Sequence, residues 1–130
     1  MTAPAVAGMP RLLLRLEGLA LFILGTGAYS QTELSWWLYA LLFFSPDLSF
    51  AGYMAGPRTG AAIYNAAHTI LGPAILLGAG LMLNAPLFLG TAAIWVAHIG
   101  FDRMLGYGLK YATAFSDTHL GRIGRNRAGA

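Results

Sequence analysis

Four apolar runs constrain this chain more than any other feature: residues 11 to about 30, 36 to 53 or 54, 61 to 83, and 87 to about 105. Short turns separate them. Each run can form a helix that crosses a bilayer. The last is the shortest, its charge-free part from Asn84 to Phe101 standing near the lower limit of about 17 residues. Only 10% of the residues are charged and 57% are hydrophobic, against about 25% charged in a soluble domain. Such a chain cannot cover a water-facing surface. The expected fold is all-α: a polytopic integral membrane protein with four transmembrane helices in an antiparallel bundle.

The first run also has the outline of a signal peptide, with Arg11 and Arg15, an apolar core, and a small-x-small site at Ala28-Tyr29-Ser30. Glu17 inside that core argues for a retained helix, preceded by a loose arm over residues 1–10. Trp36 and Trp37 open the second run as interfacial anchors. Within it, Ser45-Pro46-Asp47-Leu48-Ser49 reads two ways. Pro46 kinks a continuous helix, or Ser45 caps a new one with Pro46 at its first position and Asp47 in its first turn. Gly72-Pro73 is a second kink point. Beyond residue 105 glycines and charges return. Ser116-Asp117-Thr118 has the pattern of a cap for a short surface helix, and residues 121–130, basic and glycine-rich, read as disordered. The expected division is a transmembrane domain over 1–110 and a basic cytoplasmic tail over 111–130. With no cysteine there is neither a disulfide nor a thiolate site.

The charges set the topology. All eight basic residues (Arg11, Arg15, Arg58, Arg103, Lys110, Arg122, Arg125 and Arg127) fall on one side of a four-span arrangement. By the positive-inside rule both termini are cytoplasmic. The pI of about 9.6 therefore reflects topology and not a nucleic-acid partner; no basic-aromatic nucleic-acid surface, nucleotide loop or nucleophile elbow is present. Gly18, Gly25, Gly52, Ala66, Gly72, Gly78 and Gly90 let helices approach closely where lipid gives no hydrophobic drive.

With that topology Glu17, Asp47, Asn65, His68, His98 and Asp102 all fall in the cytoplasmic half, although they come from four helices. Ionisable groups at such positions are costly, so a functional site is the default expectation. His98 and Asp102, four apart, share a helix face with Thr91 and Trp95. Asn65, His68, Thr69 and Gly72 form a second polar stripe. Asp47, His68, His98 and Asp102 are the candidate catalytic groups, as acid and base, and the candidate ligands of a divalent metal such as zinc, iron or manganese. Glu17, Asn65, Tyr107, Lys110 and His119 are candidates for holding a cofactor or substrate, with Lys110 and His119 closing over the pocket to grip an anionic head group. A structural reading stands beside each of these. Asp102 pairs with Arg103, Arg58 or Lys110; His98 bonds Asn65 or a carbonyl; Arg15 snorkels outward; Tyr107 and Tyr111 are belt aromatics; Lys110 and the tail arginines hold anionic lipid.

Several segments resemble a family of small bacterial membrane proteins classed as a domain of unknown function. They are Leu14-Arg15-Leu16-Glu17-Gly18, the Ser45–Ser49 stretch with Gly52-Tyr53, Gly56-Pro57-Arg58, Tyr64-Asn65-Ala66-Ala67-His68-Thr69, His98-Ile99-Gly100-Phe101-Asp102-Arg103 through Tyr111, and Asp117-Thr118-His119-Leu120-Gly121. The resemblance brings no activity with it. Three functions fit the residues: an embedded enzyme or ligand- and metal-binding protein acting on a lipid or lipophilic molecule, a non-catalytic accessory or structural subunit of a larger membrane complex, and a proton-coupled transporter. Membrane lipids are the expected partners, with a homo-oligomer or larger membrane complex as the expected assembly.

Overall fold

The structure, a computed structural model, describes residues 4–123. The basic end of the expected tail, with Arg125 and Arg127, lies outside them. Among the described residues the regular structure is all-helical apart from one short hairpin. Helix α1 (Gly8–Ser30) is followed by α2 (Trp36–Phe43), a 3₁₀ stretch (Ser45–Ala55), α3 (Pro57–His68), α4 (Leu71–Leu83) and α5 (Pro86–Met104). Strands β1 (Asp117–Thr118) and β2 (Gly121–Arg122) then pair antiparallel. Two helical stretches, Gly8–Ser30 and Pro57–Leu83, are long and apolar enough to cross a membrane.

The second and third apolar runs are broken, and a proline accounts for each break. Proline offers no N–H to the carbonyl four residues back and its ring crowds that carbonyl. Four residues before Pro46 is Leu42, and α2 ends at Phe43. The carbonyl of Leu42 accepts the Ser45 hydroxyl instead, at 2.7 Å. Ser45 therefore bonds backward and does not cap the 3₁₀ stretch, while Pro46 and Asp47 occupy its first turn as the sequence suggests. Four residues before Pro73 is Thr69, whose backbone is extended at φ −90°, ψ 150°. The third run thus parts at Thr69, upstream of the expected kink at Gly72-Pro73. The carbonyls freed there find other donors: Trp95 Nε1 donates to Ala67 O at 2.6 Å, and Arg103 reaches His68 O at 3.4 Å.

Helix α5 is the centre of the molecule, with Ile94, Ala97, His98 and Ile99 all buried. Its long contact is with α1, and the two run antiparallel. A Cβ built on Gly18 would stand 2.7 Å from Gly100 O, one on Gly100 2.5 Å from Gly18 O, and one on Gly25 2.7 Å from Ala93 O. Backbones approach this closely only where no side chain intervenes. Gly18 and Gly25 play the expected part, and Gly100 joins them. Gly78 does not, since a Cβ there meets nothing within 4 Å. Farther along, Gly72 receives the indole of Trp95 and Gly60 the ring of Tyr53. Tyr29, Phe43, Ile94 and Ala97 form the apolar cluster between α1, α2 and α5, with Phe22 and Phe101 packed against it.

After α5 the chain folds back over the end of the bundle. The surface helix expected near Ser116 is replaced by the β1–β2 hairpin. Gly121 sits at φ 119°, a conformation L side chains rarely adopt, so the turn favours a strand pair over a helical start. Leu120 at the hairpin tip is buried. The arginines of α1 hold this end together and do not simply reach outward. Arg11 is buried with its Nε donating to Leu120 O, and Arg15 Nε donates to Met104 O at 2.9 Å, satisfying a carbonyl at the end of α5. Within the expected loose arm, Val6 N donates to His119 O at 2.8 Å and α1 already begins at Gly8.

Candidate metal centre

Three elements bring four side chains to one point. The 3₁₀ stretch supplies Asp47, the last residue of α3 is His68, and α5 supplies His98 and Asp102 one turn apart. One ligand atom from each lies within 4.8 Å of all the others. Asp47 Oδ1 is 3.2 Å from both His68 Nε2 and His98 Nε2. Asp102 Oδ2 is 3.4 Å from His68 Nε2 and 3.3 Å from His98 Nε2. The two Nε2 atoms are themselves 3.2 Å apart. Five spacings thus fall between 3.2 and 3.4 Å. Donors at about 2.0 Å from a tetrahedral ion are separated by about 3.3 Å; the sixth spacing, between the two carboxylates, sets the 4.8 Å spread, so the carboxylates would have to close in on a bound ion.

The hydrogen bonds fix which lone pairs face inward. His68 Nδ1 is 2.9 Å from the Tyr64 carbonyl, which can only accept, so Nδ1 carries the proton. In the neutral ring Nε2 then presents a lone pair. A backbone carbonyl on the outer nitrogen is the usual partner of a metal-binding histidine. Tyr64 also stacks on the His68 ring at 3.7 Å and 9°, holding its plane. His98 is held by packing, edge-on to Phe43 at 5.4 Å, while its Nδ1 is buried with no hydrogen-bond partner. A neutral His98 has one N–H to offer, against three acceptors at its Nε2 side. A cation at the centre would face all four lone pairs.

A cavity of about 330 Å³ opens beside the centre, with Asp47, Asp102, Tyr107 and Lys110 in its wall. Neither histidine lines it, so the exposed side of the centre is its carboxylate edge. Lys110 is buried, and burial pushes its ammonium down to about 8. Asn65 reaches neither the four side chains nor the cavity wall. Its amide clasps the Lys110 backbone, Nδ2 donating to the carbonyl at 2.8 Å and Oδ1 accepting from the amide at 2.6 Å. Glu17 is exposed on α1 and stands apart. His119 lies in the hairpin turn, accepting the Leu109 amide on Nδ1 at 2.9 Å. Sequence reasoning passed over Tyr64, although it stands four residues before His68 on one helix face. It passed over Arg103 as a donor to the carbonyl freed at His68 as well.

His119 makes a pH-dependent contribution to stability. Burial, with the nearby Arg103 charge, holds its imidazole below the ordinary 6.5. Protonation at Nδ1 would also cost the Leu109 hydrogen bond. The unfolded chain therefore takes up this proton first. Stability is unaffected above about pH 6.5 and falls as pH drops below it toward the folded value. Thermal unfolding in detergent should show a smaller loss between pH 7 and 5 for His119→Gln than for the unsubstituted chain; equal losses would remove His119 from this role.

The chain matches a domain of unknown function, DUF4260, over residues 11–123. No curated protein and no solved structure matches it. The match runs from the first turn of α1 through the other four helices to the hairpin and includes all four converging side chains. The chain therefore belongs to the DUF4260 family.

Proposed function

We propose that this is a four-span protein of the bacterial inner membrane, both termini cytoplasmic, that binds one divalent transition metal through Asp47, His68, His98 and Asp102. The observation that carries the reading is the set of five donor spacings of 3.2–3.4 Å among two imidazoles and two carboxylates. Zinc suits two imidazoles and two carboxylates, with iron and manganese as the other candidates. A 2+ ion with two carboxylates and two neutral imidazoles sums to zero charge, which a low-dielectric site tolerates best.

The membrane assignment rests on the outer surface. Only 17% of the most apolar window of each long helical stretch is buried. Large apolar side chains such as Trp37, Leu41, Ile75 and Met82 face outward, far more than a soluble monomer exposes. The break at Thr69 directly follows His68, and the carbonyls of Ala67 and His68 beside it are taken by Trp95 and Arg103, the condition under which irregular backbone at membrane depth is tolerated.

Elemental analysis of full-length protein purified in non-ionic detergent is expected to find about one zinc, iron or manganese per chain. A chain that stays metal-free after incubation with each ion would end the reading. A second reading has one observation in its favour: four protein ligands are the closed set that structural metals use. In it the metal locks α3, α5 and the 3₁₀ stretch together within an accessory subunit, and nothing else binds at the centre.

A further inference from the structure

The cavity beside the four ligands is not accounted for by metal binding alone. Its wall carries both carboxylates, one cation and a set of rings, and these differ in what they leave unsatisfied. Bound metal would neutralise Asp47 and Asp102. Lys110 would then be the surplus charge in the wall. Among the described residues no carboxylate lies within ion-pair distance of it. Its Nζ donates to Phe115 O at 2.7 Å and sits 3.6 Å from the Phe115 ring centre and 4.8 Å from that of Tyr64. One carbonyl serves one of three ammonium protons, although Lys110 is only 5% exposed. The Asn65 clasp fixes its backbone, so the ammonium is built into the wall and does not hang loose.

The rest of the wall is apolar. Phe50 and Phe115 lie 5.4 Å apart and are 41% and 44% exposed, and Phe50 stacks on Tyr64 at 14°. A cationic donor, an open metal edge and an aromatic wall in one cavity suit a ligand with an anionic oxygen head and an apolar body. We propose that the cavity binds an anionic amphiphile, its oxyanion head between the metal and Lys110 and its body along Phe50 and Phe115. This rests on the metal reading above. It sets that reading against the purely structural one, in which the centre takes no further ligand.

Cobalt substitution separates the two levels of failure. The full-length protein is loaded with Co(II) in non-ionic detergent and its visible spectrum is titrated with dodecyl phosphate, inorganic phosphate and dodecyltrimethylammonium. Dodecyl phosphate should change the cobalt bands and bind about tenfold or more tightly than inorganic phosphate; the cationic amphiphile should neither change them nor compete. Lys110→Met should weaken dodecyl phosphate about tenfold or more, the scale of a lost charge-assisted hydrogen bond. It should leave the ligand-free spectrum unchanged, and Lys110→Arg should retain binding. If no protein-bound cobalt spectrum forms, the metal reading and this inference fall together. If cobalt binds and dodecyl phosphate leaves its bands unchanged, this inference alone falls. Equal binding of inorganic phosphate, or competition by the cationic amphiphile, would also overturn it. So would unweakened binding by Lys110→Met.

Discussion

Replacing His98 with glutamine is expected to lower metal affinity by more than about a hundredfold, beyond the roughly tenfold to hundredfold that loss of an outer-shell partner costs. His98 is 1% exposed and touches both carboxylates and His68 through one atom. Glutamine keeps polarity and much of the volume, which limits the cavity that alanine would leave. The effect on stability follows by linkage. With zinc at about 1,000 times its dissociation constant the unsubstituted chain gains about 4 kcal/mol, and after a hundredfold loss of affinity the same zinc gives about 1.4 kcal/mol. Thermal unfolding with chelator and then with zinc reads both terms. The zinc-dependent shift should shrink in His98→Gln, while the chelated proteins unfold at similar temperatures. If the four side chains were only a polar lock between helices, the order would reverse: the variant would unfold early with or without zinc.

The second large effect lies in the α1–α5 seam. Gly100→Ala would put a Cβ 2.5 Å from Gly18 O and 2.5 Å from Phe22 N, both backbone atoms of a packed helix. Neither can move without shifting α1. Overpacking of this kind costs about 1–3 kcal/mol, and in lipid no hydrophobic drive between helices offsets it. The displacement also carries His98 and Asp102, which flank Gly100 on α5. Gly100→Ala should therefore lower both the unfolding temperature and the metal content. Gly27→Ala, where an added Cβ meets nothing within 4 Å, should be neutral or stabilising by up to about 1 kcal/mol through helix propensity. Equal behaviour of the two variants in thermal unfolding would contradict a seam held by backbone contact.

What the sequence made legible was where polar groups are scarce. Asp47, His68, His98 and Asp102 stand out because an apolar chain has few reasons to place them at one depth, and these four converge. Glu17 and Asn65 carried the same signal, but Glu17 is exposed on α1 and Asn65 clasps the Lys110 backbone. Depth along a helix is readable from charge-free runs, whereas the direction of a side chain depends on which helices meet. The breaks were half legible. Pro46 and Pro73 announce them, but the disruption falls near the carbonyl four residues back, at Leu42 and Thr69. The end of the chain was least legible. Arg11, Arg15 and Lys110 read as topology markers because charge is all that a linear pattern shows; in the fold each donates to a backbone carbonyl that helix ends or the returning chain leave open. The hairpin that buries Leu120 depends on contacts with α1 and the 105–110 segment, and two-residue strands have no periodicity to read.

X-ray absorption at the metal edge of the full-length protein, loaded with zinc in non-ionic detergent, tests the central claim most directly. The expected spectrum has four nitrogen or oxygen donors at about 2.0–2.1 Å, two of them imidazoles with their outer-shell scattering, and one imidazole fewer in His98→Gln. Six light donors without imidazole, or a spectrum unchanged by His98→Gln, would place the metal elsewhere and contradict a centre built from Asp47, His68, His98 and Asp102.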